Sequence, residues 1–519
     1  MKYSNKKYIY GFVAGFATLA SLTSCSNDET SLPSNGLATG NLTLQLNVSI
    51  PTDTRSYTDN GGSNSGTLNP TGNYESNINS ISLYFTKVTD DNDPSKDEII
   101  YQFYDLTTGL TSTESNGVKN YTITKEVPAR EIATIFKDRK LRLYLVANTS
   151  TQSIADLGAA TLSFDGVKAV SGNTTYIPMT NASASGIVNF EGKTADDILA
   201  IVAKSTDKKT LDLTGVTDKD GNSLGGFNSI PLERSWARLD YKSGATGTPH
   251  LYKLGNTNLY LKVDKMHVVN VSKNAYLFRH TAEATTATGA DAGANIDKVV
   301  LFGNEGGSIY NWIADTDWGG KTAANTVSCW EQQNNLTSEL WQSLNSSTFV
   351  NEYTPWCYVS ENTLPSVSRM IEGLSTGVAF KVILCKADGT PLNKAELTGV
   401  YDMGGPLSCV ESNGKLLIKD NKYTEGMELS LEDGAYTLTY YYWIRHNDVS
   451  NSVEFTDPME FAVVRNNVYQ MSITSFNDLP RQYNETDPDE APAPPVKSAD
   501  FTVKVLVNHW GYYQFSETI

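Results

Sequence analysis

The run Leu42-Thr43-Leu44-Gln45-Leu46-Asn47-Val48-Ser49-Ile50 constrains the fold more than any other stretch. Leu42, Leu44, Leu46, Val48 and Ile50 are apolar, and the residues between them are polar. A period of two places one face of a strand in a core and the other toward water. Pro51 closes the strand, because it has no N–H to give to a ladder. The following residues, Ser56 to Asn79, are rich in Gly, Asn, Ser and Thr and read as an exposed loop. Arg55 stands at the edge of that loop, where a protease can reach it. The first strand is therefore built so that it can be detached from the rest of the chain.

The alternation returns in Ile81 to Phe85, in Tyr121 to Thr124 and in Leu141 to Asn148, and Glu98 to Leu106 reads as a further strand. Ser235 to Tyr241, Leu259 to Val271, Val378 to Ala387 and Ala435 to Asp448 continue the series. Two short helices interrupt it. Arg130 to Asp138 carries Ile132, Ile135 and Phe136 on one face. The other begins at Thr194, which can cap the third helical N–H, with Asp196 and Asp197 at the positive end of the dipole. The 28 tyrosines, with abundant Thr, Val, Asn and Gly, favour strands and turns.

The expected class is all-β with minor helices, as two tandem β-sandwich domains of Greek-key or transthyretin-like type. A chain of 519 residues is too long for one core. The expected units are 56–283 and 284–480, with the Ala-, Thr- and Gly-rich Ala284 to Gly293 as boundary. Residues 481–499 hold Asp487-Pro488-Asp489-Glu490-Ala491-Pro492-Ala493-Pro494-Pro495, a stiff polar spacer. Residues 500–519 follow, in which Phe501, Val503, Val505 and Val507 form one apolar face. A strand after a spacer at the end of the chain is well placed to leave its own domain.

Ahead of the first strand, Lys2, Lys6 and Lys7 precede the apolar Tyr8 to Ala20. That stretch is too short to span a bilayer, which needs ~20 residues, but it suits a secretory signal. Leu22-Thr23-Ser24-Cys25 resembles the bacterial lipoprotein box. On that resemblance residues 1–24 are a signal peptide and Cys25 becomes the lipid-bearing N-terminus of a propeptide over 25–55. Ser26 to Thr30 is similar to the surface-export signal of Bacteroidota lipoproteins.

Forty-one basic against 58 acidic residues give a net charge of -17, which argues against a nucleic-acid partner. Cys329, Cys357, Cys385 and Cys409 form no CxxC pair and have no histidine at a zinc spacing. They are read either as two disulfides or as buried free thiols. There is no HExxH, GxSxG or Gly-rich phosphate loop, and no enzyme, cofactor or metal site is expected. His446 has no nucleophile beside it and reads as structural. Asp90-Asp91-Asn92-Asp93 lacks the Gly and terminal Glu of a calcium loop, so it reads as a solvated acidic turn. Trp312, Trp318, Trp330, Trp341 and Trp356 crowd residues 305–360. Core anchors are the favoured reading; a glycan platform on a monomeric surface lipoprotein is the alternative.

Three stretches of the first half, Tyr144 to Asn148, Ile177 to Thr180 and Glu233 to Asp240, resemble recurring stretches of the Bacteroidales fimbrillins, the subunits of type V pili. In the second half, Tyr358 to Thr363, "YYYWIRHND" and "MEFAVVRNNVYQMSI" are similar to the C-terminal domain of the major subunit of short (minor) fimbriae. The resemblance implies a non-enzymatic subunit, exported to the outer membrane as a lipoprotein and then part of an extracellular fimbrium serving adhesion and biofilm. It implies cleavage between Arg55 and Ser56 by an arginine-specific protease. It also implies polymerisation by strand exchange with other copies or related subunits. In that scheme Leu42, Leu44, Leu46, Val48 and Ile50 leave a groove, and Phe501, Val503, Val505 and Val507 of a neighbour fill it by β-augmentation.

Overall fold

The computed structural model describes residues 40–51, 74–115, 117–149, 153–164, 167–170, 175–284, 296–302, 312–314, 316, 330–331, 341–363, 374–446, 461–480 and 500–509. Cys25, Arg55, Ser56, Trp318, Cys329 and the spacer 481–499 lie outside them. The fold is all-β with few helices.

The alternating first stretch is strand β1, Asn41–Pro51. It is followed by β2 (Ile81–Lys87), β3 (Glu98–Leu106), β4 (Leu110–Ser115), β5 (Val118–Pro128) and β6 (Lys140–Ala147). Helix α1, Ala129–Phe136, leads from β5 toward β6 and buries Ile132, Ile135 and Phe136, the face read from the sequence. Helix α2, Ala195–Val202, starts in a capping box. Thr194 Oγ1 accepts from the Asp197 N–H, and the Thr194 N–H donates to Asp197 Oδ2. Hydrogen bonds from Thr194 hold the Asp197 carboxyl below the usual range. Ile198, Leu199, Ile201 and Val202 pack inward.

These elements enclose a first core, made by one sheet in which Met179–Asn181, Ser229–Arg234, β1, β5 and β4 lie side by side. The chain leaves this sheet at Ser235, whose N–H donates to the Pro178 carbonyl. The next strand, Trp236–Ser243, belongs to a different sheet with Thr354–Ser360, Asn467–Phe476 and Phe501–His509. A facing sheet contains Tyr260–Val269, Gly377–Cys385 and Ala435–Trp443, and the two enclose the second core. The change of sheet thus falls at Ser235, ahead of the Ala284 to Gly293 stretch read from composition as a domain boundary. Alternation reports that a strand is half-buried and does not report which sheet it joins.

The "MEFAVVRNNVYQMSI" stretch is not one continuous strand. Its ladder begins at Asn467, after Asn466, which takes a left-handed backbone (φ 57°). Arg465, just before the break, is buried. Its guanidinium donates to Glu361 at 2.9 and 3.1 Å and to the Tyr276 and Leu277 carbonyls at 2.6 and 3.1 Å.

A small third cluster joins Tyr84 and Tyr144, on β2 and β6, to Leu277, Phe278 and Leu301. His280 lies beside it, 4% exposed, stacked on the Tyr276 ring at 3.8 Å with Nδ1 2.9 Å from the Phe278 carbonyl oxygen. Burial lowers its pKa from 6.5 to about 4, and the nearby Arg465 charge acts the same way. The unfolded chain takes up this proton near pH 6.5, whereas the folded chain resists until about 4. Stability is therefore expected to fall by about 2–3 kcal/mol as pH drops through that window. His280→Asn should remove that part of the slope in denaturation curves taken from pH 7 to pH 4.

Candidate functional site

β1 is the strand on which the first core closes. Its whole length pairs antiparallel with β5, from Asn41 opposite Pro128 to Pro51 opposite Val118. On its other edge Thr43–Gln45 run parallel to Thr210–Asp212, and Asn47–Ser49 run parallel to Ser229–Pro231. The Thr43 N–H donates to the Lys209 carbonyl at 2.9 Å, and the Leu213 N–H donates to the Gln45 carbonyl at 2.8 Å. Leu42, Leu44, Leu46, Val48 and Ile50 are each at most 1% exposed. Among the described residues, β1 is the ladder that joins β4 and β5 to Ser229–Arg234 and the strands beyond. Its removal opens an apolar trough with unpaired backbone on both walls.

The polar face of β1 also meets its neighbours. Thr122 Oγ1 donates to Asn47 Oδ1 at 3.0 Å, and Gln45 Nε2 donates to Asp212 Oδ2 at 3.4 Å.

The terminal strand, Phe501–His509, lies at the outer edge of the five-stranded sheet, antiparallel to Asn467–Phe476. Phe501 is buried and stacks on Phe476, with ring centroids 5.5 Å apart. Val503, Val505 and Val507 are half-buried against the second core. The strand is therefore docked on its own domain, by one ladder and one deeply buried ring.

Residues 75–79 are fixed by contacts that the sequence did not reveal. Glu75 lies in a buried cluster with Arg238, Asp240 and Tyr358. Arg238 Nη1 donates to both Glu75 carboxylate oxygens at 3.0 Å, while its Nε and Nη2 donate to Asp240 at 2.7 and 3.0 Å. The Tyr358 hydroxyl donates to Glu75 Oε1 at 2.8 Å, and Arg234 Nε donates to the Glu75 carbonyl at 2.6 Å. Burial opposes the charge on Arg238, but Asp240 and Glu75 more than offset it and keep the guanidinium pKa above its usual value. Asn148, in left-handed backbone (φ 60°), donates to the Asn77 and Ile177 carbonyls and accepts from the Asn79 N–H. The 75–79 segment is thus tied to both cores. Arg238 and Asp240, two apart on one strand, share a face, which was the one available signal. Glu75, in a polar turn, gave none.

Several other candidates have partners among the described residues. Trp341 and Trp356 are buried, and Trp341 lies under the Lys381 ammonium at 4.5 Å. His446 Nδ1 shares a 2.8 Å hydrogen bond with the Tyr469 hydroxyl. Asp90 pairs with Lys96, and Asp91 pairs with Lys140. Cys357, Cys385 and Cys409 are buried free thiols, and burial raises the pKa of Cys385 to about 11 and of Cys409 to about 12.

The described residues thus place a fully paired strand in the middle of one sheet and the terminal strand at the edge of another, and among them no cluster of metal-ligating side chains occurs. Residues 435–515 match the family model described as major fimbrial subunit protein type IV, fimbrillin, C-terminal. Over that span the chain is similar to the C-terminal region of the fimbrillin family. No curated protein matches it. A crystal structure of a fimbrilin from Porphyromonas gingivalis is 15% identical, with 92% of this chain and 99% of that chain covered and a TM-score of 0.39. The tip fimbrial protein Mfa3 of the same organism, with a C-terminal truncation, is 12% identical, with 91% and 100% covered and a TM-score of 0.32. Scores of that size assign no role to individual residues.

Proposed function

We propose that this chain is a fimbrial subunit, exported as a lipoprotein on Cys25, cut between Arg55 and Ser56 by an arginine-specific protease, and assembled by strand exchange. The chain remains anchored to the outer membrane until it is cut, and then enters an extracellular fimbrium that supports adhesion and biofilm. The observation that carries this reading is the placement of β1. It is buried on one face and paired on both edges, and Arg55 follows it by only four residues in the sequence.

A cut after Arg55 has unequal effects on its two sides. Downstream, Glu75 and Asn148 hold the chain in place. Upstream, β1 loses its covalent tether and with it the high effective concentration that kept it seated. Five apolar side chains at ~1.5–3 kcal/mol each make the trough worth on the order of 10 kcal/mol to whatever fills it, before ordering costs.

Phe501, Val503, Val505 and Val507 of a neighbour are the proposed filling. Leaving their own sheet breaks one ladder and uncovers Phe501; entering the groove forms ladders on two sides and covers all four. The contact is heterologous, so repetition gives a fibre rather than a closed ring.

Arg55→Ala is expected to leave a lipidated monomer at the membrane. Fibres of normal length from that variant, seen by electron microscopy, would show that Arg55 is not the switch. Shearing fibres from wild-type cells should give a mature chain whose first residue is Ser56.

A further inference from the structure

We propose that Lys504 of one copy takes the place of Gln45 in the groove of the next, against Asp212, with the incoming strand running in the direction of β1. This rests on the strand-exchange reading and fixes its register and polarity.

A strand entering the groove must keep its apolar face inward, so only shifts of two residues are allowed; a one-residue slip would send Lys504 into the core. Setting Phe501 at the Leu42 position puts Val503, Val505 and Val507 at Leu44, Leu46 and Val48. On the polar face Thr502 then replaces Thr43, a threonine for a threonine, and Lys504 replaces Gln45.

Asp212 is ready for a cation at that point. Its Oδ1 accepts from the Thr214 N–H at 2.9 Å and from Thr214 Oγ1 at 2.7 Å. Its Oδ2 faces Gln45, whose amide reaches it only at 3.4 Å. When β1 departs, that contact is lost. Lysine has a longer stem and carries a full charge, so it makes the contact better than the residue it replaces.

The other frames fit worse. Moving the strand two residues toward the start of β1 puts Phe501 at Gly40, off the groove, and brings Lys504 to Thr43, opposite Glu126 and Thr210. Moving it two residues the other way puts Lys504 at Asn47, between Thr122 and Ser229, where neither neighbour is acidic. Reversing the strand with Lys504 still at Gln45 drives Phe501 into the site of Val48, which is fully buried and shaped for a smaller side chain. An exposed ion pair changes a binding constant by no more than about fivefold. It therefore selects the frame, while the apolar face supplies the affinity.

The test uses full-length chains, cut and allowed to assemble, carrying paired cysteines. Lys504→Cys with Asp212→Cys, and Thr502→Cys with Thr210→Cys, should each give ladders of disulfide-linked copies on non-reducing gels. Lys504→Glu should slow assembly several-fold, Asp212→Lys on the receiving copy should restore it, and Lys504→Gln should assemble near normally. Polymers that link Lys504→Cys to Thr122→Cys instead would overturn the register and leave strand exchange standing. Polymers that link Leu506→Cys to Thr210→Cys would overturn the polarity alone. Polymers that form with no link from either position into the groove would overturn this pairing and strand exchange together.

Discussion

Leu46→Ala is expected to lower the unfolding free energy of the uncut chain by about 2–5 kcal/mol, the range for removing a fully buried leucine side chain. Leu46 is 1% exposed, sits mid-strand opposite Ile123, and has paired backbone on both edges of β1, so the site has little room to collapse. Denaturant titration of the precursor measures this directly. The same substitution should leave assembled fibres unaltered in their resistance to denaturant, because a chain that begins at Ser56 no longer contains Leu46. Weakened fibres would mean that β1 stays in its groove after assembly, and the proposed exchange would fall.

Arg238→Met should be comparably severe, at about 3–5 kcal/mol, because it leaves Glu75 and Asp240 buried without their counter-charge. Burial already raises the Asp240 pKa, and removing the guanidinium takes away what opposes that rise. The variant should therefore recover part of its deficit as pH falls and a carboxyl takes up a proton. A variant with the stability and pH profile of the parent would show that the cluster does not tie the 75–79 segment to the second core.

The individual elements were largely legible in the sequence because their signals are local. The period of two in Leu42 to Ile50 gave β1 and its buried face, and Thr194 with the acids behind it gave the start of α2. Long-range partnership was not legible. Nothing in Trp236 to Ser243 states that its parallel neighbour is Asn467–Phe476, more than two hundred residues away. For the candidate site, the apolar faces of both strands were readable. The docking of Phe501 on Phe476 and Tyr440 was not, because a terminal strand pairing with its own domain has the same alternation as one pairing elsewhere. The Glu75 cluster was hidden because a charged residue in a polar turn ordinarily faces water.

β1 lies along β5 over its entire length, with shorter ladders on its far edge. Any strand seated there and tugged along its own axis is loaded in shear: every rung bears the force at once, and none can be opened before the rest. A filament joined this way would resist the drag of flowing liquid far better than one whose junctions peel apart from an end.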